Sequence, residues 1–407
     1  MSHLVVVGGS LAGLRAIGAA RKAGFSGELT LIGAEPHLPY DRPPLSKVFL
    51  DTLDLGVAPL STTFHDEAHL RDELGVSLRL GTPVSGLDLD AREVQLADRA
   101  IRYDHLVIAT GADARRLPGS HGLAGVHTLR SVDDARAIRG ALDAGARTVV
   151  IGAGFIGSEV AASARKRGLD VTIIEALPVP LSRAVGDELG PMVARLHGRN
   201  GTTLICGVTV EALVGSTRVE GVALSDGRVL AADLVVVGIG AVPTTGWLEG
   251  SGLALNDGVV CDATLSTGHP GVYAAGDVAR WHNPLFDRSQ RLEHWTSAAE
   301  QGAAAGRNAI SPAQAKPYST VPYFWSDWYD ARIQFVGIPD ADEVRIVEGD
   351  PERDPRWVGL YRSGDRITGA LAVNGQSVIM KYRAMIGRQT SFREAIEFGQ
   401  RRQLSPT

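Results

Sequence analysis

The sequence predicts an α/β protein with parallel sheets flanked by helices, followed by a separate α+β region. Three observations predict it. First, Leu4–Gly8, Leu29–Gly33, His105–Gly111, Thr148–Gly154, Val171–Glu175 and Leu234–Gly240 are nearly continuous apolar runs of strand length. Such runs suit parallel strands buried on both faces. Second, they alternate with Ala/Arg/Glu-rich helical stretches until about residue 310. Third, one unit occurs twice: a strand, a glycine turn, an Ala-rich helix, and a strand ending in Glu.

The first copy is LVVVGGSLAGLRAIGAARKAG followed by LTLIGAE. Gly8 and Gly13 match a G-x-G-x-x-G turn, Ser10 takes the middle place, and Glu35 ends the second strand. The second copy is TVVIGAGFIGSEVAASARKRG followed by VTIIE. Here Gly152, Gly154 and Gly157 complete the pattern, and Glu175 ends the next strand. Gly/Pro-rich joints at GADARRLPGSHG and GIGAVPTTGW bracket this copy. From about Pro317 the texture changes to VPYFWSDWYDARIQFVG. Strand-like segments at Trp357–Arg362 and Ile367–Val373 then precede a terminal helix near Ser391–Arg402. The expected organisation is one discontinuous domain over 1–112 and 245–316, an inserted domain over 113–244, and a C-terminal α+β domain over 317–407. The first two are Rossmann-like.

At 407 residues, two or three domains are expected. A net charge of −5 argues against nucleic acid or a membrane surface as a partner held by bulk electrostatics. No basic stretch leads into an apolar signal segment, and no apolar run is long enough to span a bilayer. The two cysteines, Cys206 and Cys261, form neither C-x-x-C nor metal-ligand spacing, and both read as buried thiols. A reducing, cytoplasmic setting fits them.

Each glycine of such a turn has a task. The first permits the tight turn, the second lets backbone approach a pyrophosphate, and the third lets helix and strand pack closely. Free N–H groups at the helix start then face the anion. Ser10 is small, and its hydroxyl suits either a phosphate or the N-cap. Glu175 is placed to accept bonds from ribose hydroxyls and to repel a 2′-phosphate, which favours NADH over NADPH. Arg183 tempers this preference, because a nearby arginine can accommodate that phosphate.

With these turns, YDRPPLSK (Tyr40–Lys47), IATG (Ile108–Gly111), VYAAGDVA (Val272–Ala279), EHWTSAAEQG (Glu293–Gly302) and PYFWSDWYDARIQFVG (Pro322–Gly337), the chain resembles the two-dinucleotide-binding flavoprotein disulfide reductases. Within that glutathione-reductase-like superfamily it is similar, over essentially its whole length, to the NADH-dependent ferredoxin reductases of cytochrome P450 and ring-hydroxylating oxygenase systems. The resemblance implies FAD on the first turn, at Gly8, Ser10, Ala12, Gly13 and Glu35. It adds Arg42, Lys47, Val84, Thr110, Gly111, Asp277 and Trp295 to the FAD contacts. It implies NADH at Gly152, Gly154, Ile156, Gly157, Glu159, Glu175, Arg183 and Gly240. Lys47, Glu159 and Trp295 become the expected catalytic residues, with Lys47 near flavin N5 and O4 and paired to Glu159.

Disulfide reductases pass electrons from flavin to a dithiol, and this sequence has no C-x-x-C to receive them. The expected reaction is therefore hydride transfer from NADH to FAD and single-electron transfer to a [2Fe–2S] ferredoxin. That ferredoxin would serve a P450 or a Rieske oxygenase. Alternatives are reduction of rubredoxin or a quinone, or a redox-sensing binding protein similar to apoptosis-inducing factor. Arg288, Arg291, Arg307 and the basic residues of the tail are either docking arginines or a solvated face. Tyr323, Trp325 and Trp328 either line the electron exit or form the core of the last domain.

Overall fold

The computed structural model describes residues 1–51, 62–120 and 122–403. They fall into two compact units. One comprises Met1–Asp41, Ser61–Asp113 and Val242–Thr320, the other Arg42–Leu60, Ala114–Ala241 and Val321–Thr407.

The first unit is built on a five-stranded parallel sheet in the order Val272–Ala274, His105–Ile108, His3–Val7, Glu28–Ile32, Val76–Arg79. Leu4 to Val7 and Leu106 to Ile108 are buried, as a sheet covered on both faces requires. The first strand has the second on one side and a later strand on the other. Its carboxyl end is therefore the switch point where open α/β sheets bind ligands. An antiparallel meander, Val84–Asp88, Glu93–Leu96 and Ala100–Arg102, precedes the return strand His105–Ile108.

The second unit repeats this plan. Its parallel sheet runs Thr203–Cys206, Val171–Glu175, Thr148–Ile151, Leu234–Val237, Val126–Thr128. It too has a meander, Val210–Val214, Gly221–Leu224 and Val229–Ala231, just before its return strand. The repeat thus reaches well beyond the two turns that reveal it in the sequence, because meander sequences carry no fixed spacing.

A five-stranded antiparallel sheet follows, in the order Tyr323–Trp328, Ala331–Gly337, Arg366–Val373, Trp357–Ser363, Glu343–Glu348. It shares a core with the helical segment Ser182–Arg199, kinked at Gly186, in which Val185, Leu189 and Val193 meet Trp328, Phe335 and Tyr361. Gly359 makes room for this contact, since a Cβ there would sit 2.5 Å from Leu189. Trp328 is therefore core, whereas Tyr323 and Trp325 stack half-buried on the edge strand. Helices Gln376–Gly387 and Phe392–Gln403 close the chain. Among the described residues no helix is long and apolar enough to cross a membrane.

Candidate active site

The two glycine turns have the same geometry. Gly8 and Gly152 both have positive φ, 130° and 103°. A Cβ on Gly8 would meet the Ala109 carbonyl oxygen at 2.0 Å, and one on Gly152 would meet that of Gly238 at 2.3 Å. In each case the neighbouring carbonyl belongs to the segment leaving the return strand, so only glycine fits. Gly13 and Gly157 close on the first glycine of their own turn, with a Cβ only 2.1 and 2.3 Å from the Gly8 and Gly152 carbonyl oxygens. The middle position differs. Around Gly154 the nearest protein atom to a Cβ is 3.8 Å away, so the fold itself does not demand glycine there. Ser10 occupies the matching place in extended backbone.

The helices behind these turns are left open to an anion. Helix Leu11–Lys22 starts at Ser10 and helix Phe155–Lys166 at Gly154, both without a side-chain cap and without an acid in the first turn. The Ser10 hydroxyl therefore does not act as the N-cap. By contrast, helix Val132–Asp143 has a full capping box between Ser131 and Asp134 and acids at Asp133 and Asp134. Unpaired N–H groups and the positive end of the helix dipole make the first two starts fit a pyrophosphate.

The first unit also carries further expected residues. Glu35 lies in the bend three residues beyond strand Glu28–Ile32, not at the strand's end, and accepts a 2.5 Å bond from the Tyr40 hydroxyl. Thr110 donates to the Thr244 carbonyl at 2.9 Å, and the Gly111 carbonyl accepts from the Thr244 N–H at 3.0 Å. Gly276, beside Asp277, has positive φ and a virtual Cβ 3.1 Å from that of Ala12. Its N–H donates to Gln301 at 2.9 Å. Helix Trp295–Ile310 crosses Leu11–Lys22 closely, because a Cβ on Gly302 or Gly306 would strike the Ala12 or Ala16 carbonyl oxygen at 2.2 Å. At its start, the Trp295 indole donates to Asp41 at 2.7 Å. Val84 is half-buried on the meander. Arg288 is exposed, but Arg291 is only 11% exposed and pairs with Asp257 and Glu293 while donating to the Asp277 carbonyl. Arg291 thus serves the fold, whereas Arg288 is the exposed member of that pair.

In the second unit, Lys47 and Glu159 form an ion pair at 2.7 Å, with Glu159 only 2% exposed. Glu159 lies on the helix after the glycine turn. Its Oε1 also accepts from Ser326 at 2.5 Å, and its Oε2 accepts from Ser46. One turn further, Asp51 accepts from Ser163 and pairs with Lys166, both at 2.5 Å. The segment carrying Lys47 is thus pinned along this helix by two ion pairs of opposite polarity. Arg42 donates to the Arg130 carbonyl at 2.7 Å. Glu175 accepts from the N–H groups of Ala153 and Leu177, both at 2.9 Å, so its carboxylate is fixed beside the turn. Ile156 is 46% exposed despite being apolar, and Arg183 and Gly240 are exposed. Cys261 is buried, which pushes its thiol up to about 12. Cys206 is only half-buried, because it ends an edge strand, and burial and Glu175 together raise its pKa.

The sequence patterns did not single out Tyr40, Asp41, Ser46, Asp51 or Ser326. Four lie in or next to YDRPPLSK, where adjacency to Lys47 was a usable signal. Ser326 is one serine in an aromatic strand and gives none.

The profile of the pyridine nucleotide-disulphide oxidoreductase family matches residues 2–302, and that of the reductase C-terminal family matches 323–404. The chain belongs to the pyridine nucleotide-disulphide oxidoreductase family. As a member it is an oxidoreductase whose cofactors are FAD and NAD(H). It is 37% identical over 373 residues to the ferredoxin–NAD(+) reductase component of the anthranilate 1,2-dioxygenase system of Burkholderia cepacia, covering 91% of this chain and 90% of the relative. It superposes on the ferredoxin reductase of the CYP199A2 system from Rhodopseudomonas palustris with a TM-score of 0.90, at 33% identity over 96% of each chain. The reductase in a covalent putidaredoxin reductase–putidaredoxin complex gives a TM-score of 0.89 at 31% identity, covering 95% of this chain and 93% of that one.

Proposed function

We propose that this family member is an NADH-dependent ferredoxin reductase, a cytoplasmic flavoprotein supplying electrons to a [2Fe–2S] ferredoxin. That ferredoxin would feed an oxygenase, most simply a cytochrome P450. Residues 1–112 and 245–316 bind FAD, 113–244 bind NADH, and 317–407 form the last domain. The observation that carries the reading is a pair of uncapped dinucleotide turns in a chain without C-x-x-C. It is supported by likeness to ferredoxin reductases over nine-tenths of the chain.

When bound, FAD would supply the redox chemistry that matches a two-electron hydride donor, NADH, to a one-electron acceptor. The chain's residues supply the setting. The open helix starts at Leu11 and Phe155 hold the two pyrophosphates through backbone N–H groups. Glu35, fixed by Tyr40, and Glu175, fixed by Ala153 and Leu177, accept bonds from ribose hydroxyls. Asp277, Thr110 and Gly111 would complete the FAD site beside the first turn. Lys47 presents an ammonium that stabilises negative charge gained on reduction, and buried Glu159 keeps it in place. Trp295, held by Asp41, forms an apolar wall. The named relatives favour ferredoxin over rubredoxin, a quinone or a purely redox-sensing role.

The test is anaerobic stopped-flow absorbance. NADH should bleach the yellow protein far faster than NADPH does, and oxidised ferredoxin should restore the colour. Slow bleaching that leaves a long-lived charge-transfer band, with no acceleration by ferredoxin, would overturn the reading.

A further inference from the structure

The buried carboxylate of Glu159 is held from three directions. Lys47 and Ser326 both reach Oε1, at 2.7 and 2.5 Å, while Ser46 reaches Oε2. Ser46, Glu159 and Ser326 are all buried. The direction of the Ser326 bond is fixed by its other neighbour. The indole N–H of Trp328 donates to Ser326 Oγ at 2.8 Å, and an indole can only donate. The single hydroxyl proton of Ser326 is then free to point at Glu159. Trp328 itself is fully buried and stacks on His197, with ring centres 4.8 Å apart. A chain of oriented donors thus runs from a rigid core residue of the last sheet to the carboxylate that holds Lys47.

A glutamate has three side-chain torsions, and a single ion pair with a lysine leaves most of them loose. Ser46 is next to Lys47 on the segment pinned along the Glu159 helix, so its bond joins only the same two elements that the ion pair already joins. Ser326 comes from another element and from a packed core. We propose that Ser326 is a positioning residue: oriented by Trp328, it locks the Glu159 carboxylate and thereby sets where the Lys47 ammonium stands. The inference rests on the reading above that Lys47 serves the reduced flavin.

The test uses FAD-loaded full-length protein and reads the midpoint potential of the flavin by dye equilibration, alongside thermal unfolding. A displaced ammonium stabilises the reduced flavin less. Ser326→Ala should lower the reduction equilibrium about tenfold, or ~30 mV for a two-electron couple. Ser326→Thr, which keeps the hydroxyl, should return the potential toward wild type. Lys47→Met should lower it by more than Ser326→Ala does. If Lys47→Met shifts the potential and Ser326→Ala does not, the positioning role is wrong while the reading of Lys47 stands. If Lys47→Met leaves the potential unchanged, the reading of Lys47 is wrong and the role of Ser326 falls with it. A lower unfolding temperature in Ser326→Ala with an unchanged potential marks a purely structural serine and overturns the proposal. Should Ser326→Ala fail to fold, Trp328→Phe carries the same test, because it removes the N–H that orients Ser326 and keeps the hydroxyl. A folded Trp328→Phe protein with wild-type potential then overturns it.

Discussion

Two glycines two residues apart should respond in opposite ways to alanine. Gly152 has φ of 103°, where a side chain costs roughly 1–3 kcal/mol of backbone strain. Its new Cβ would also lie 2.3 Å from the Gly238 carbonyl oxygen and 2.8 Å from its carbon. Both are backbone atoms following strand Leu234–Val237, so they cannot step aside as a side chain does. Overpacking of this kind adds about 1–3 kcal/mol. Gly152→Ala should therefore lose roughly 2–6 kcal/mol, a fall in unfolding temperature on the order of 10 °C. Gly154 has φ of −75° and no protein atom closer than 3.8 Å to the virtual Cβ. Gly154→Ala should stay within about 0.5 kcal/mol of the parent or gain slightly from reduced chain entropy. The assay is thermal unfolding followed by circular dichroism, with both variants purified alike. Equal losses in the two variants, or no loss in Gly152→Ala, would refute the assignment of separate tasks to these glycines.

Further outcomes are expected. Ser10→Gly should keep FAD, since Ser10 makes no cap bond, while Ser10→Leu should release it; the flavin-to-protein absorbance ratio reads both. NADH should exceed NADPH in kcat/KM by about a hundredfold, on the order of 3 kcal/mol of like-charge repulsion at Glu175, and Glu175→Ala should narrow that ratio at least tenfold. Arg291→Glu should cost stability through its broken pairs with Asp257 and Glu293, whereas exposed Arg288→Glu should weaken ferredoxin association and flatten its salt dependence in stopped-flow titrations. Burial lowers the pKa values of His197 and His294 to about 4. Their unfolded forms take up protons near pH 6.5 while the folded forms do not, so stability should be level above that pH and fall as pH drops toward 4. His197→Gln should remove part of that slope in urea titrations at stepped pH.

Much of the fold was legible because parallel strands buried on both faces must be apolar throughout, and the turns between strand and helix need glycine for steric reasons. Leu4 to Gly13 and Thr148 to Gly157 carry both signals. The pair of turns also marks the candidate phosphate sites, and the resemblance implies the pairing of Lys47 with Glu159, which stand 2.7 Å apart. What was not legible depends on tertiary neighbours. The Ser326 bond to Glu159 joins residues far apart in sequence, and no period links them. Arg291 read as a surface charge, because nothing local announces that Asp257 would reach it. The C-terminal strand Glu343–Glu348 is a different case, since EVRIVE does carry the charged/apolar alternation of a half-buried strand, over only six residues. Asp51 and Lys166 are a further case, since their pairing needs the YDRPPLSK segment to lie along the second turn's helix.

The measurement that tests the central claim most directly is NADH-driven cytochrome c reduction with and without a [2Fe–2S] ferredoxin, across a small panel of such proteins. The account predicts a slow background that rises steeply and saturably when the right ferredoxin is added. Fast turnover with quinones, and a rate that no ferredoxin changes, would contradict it.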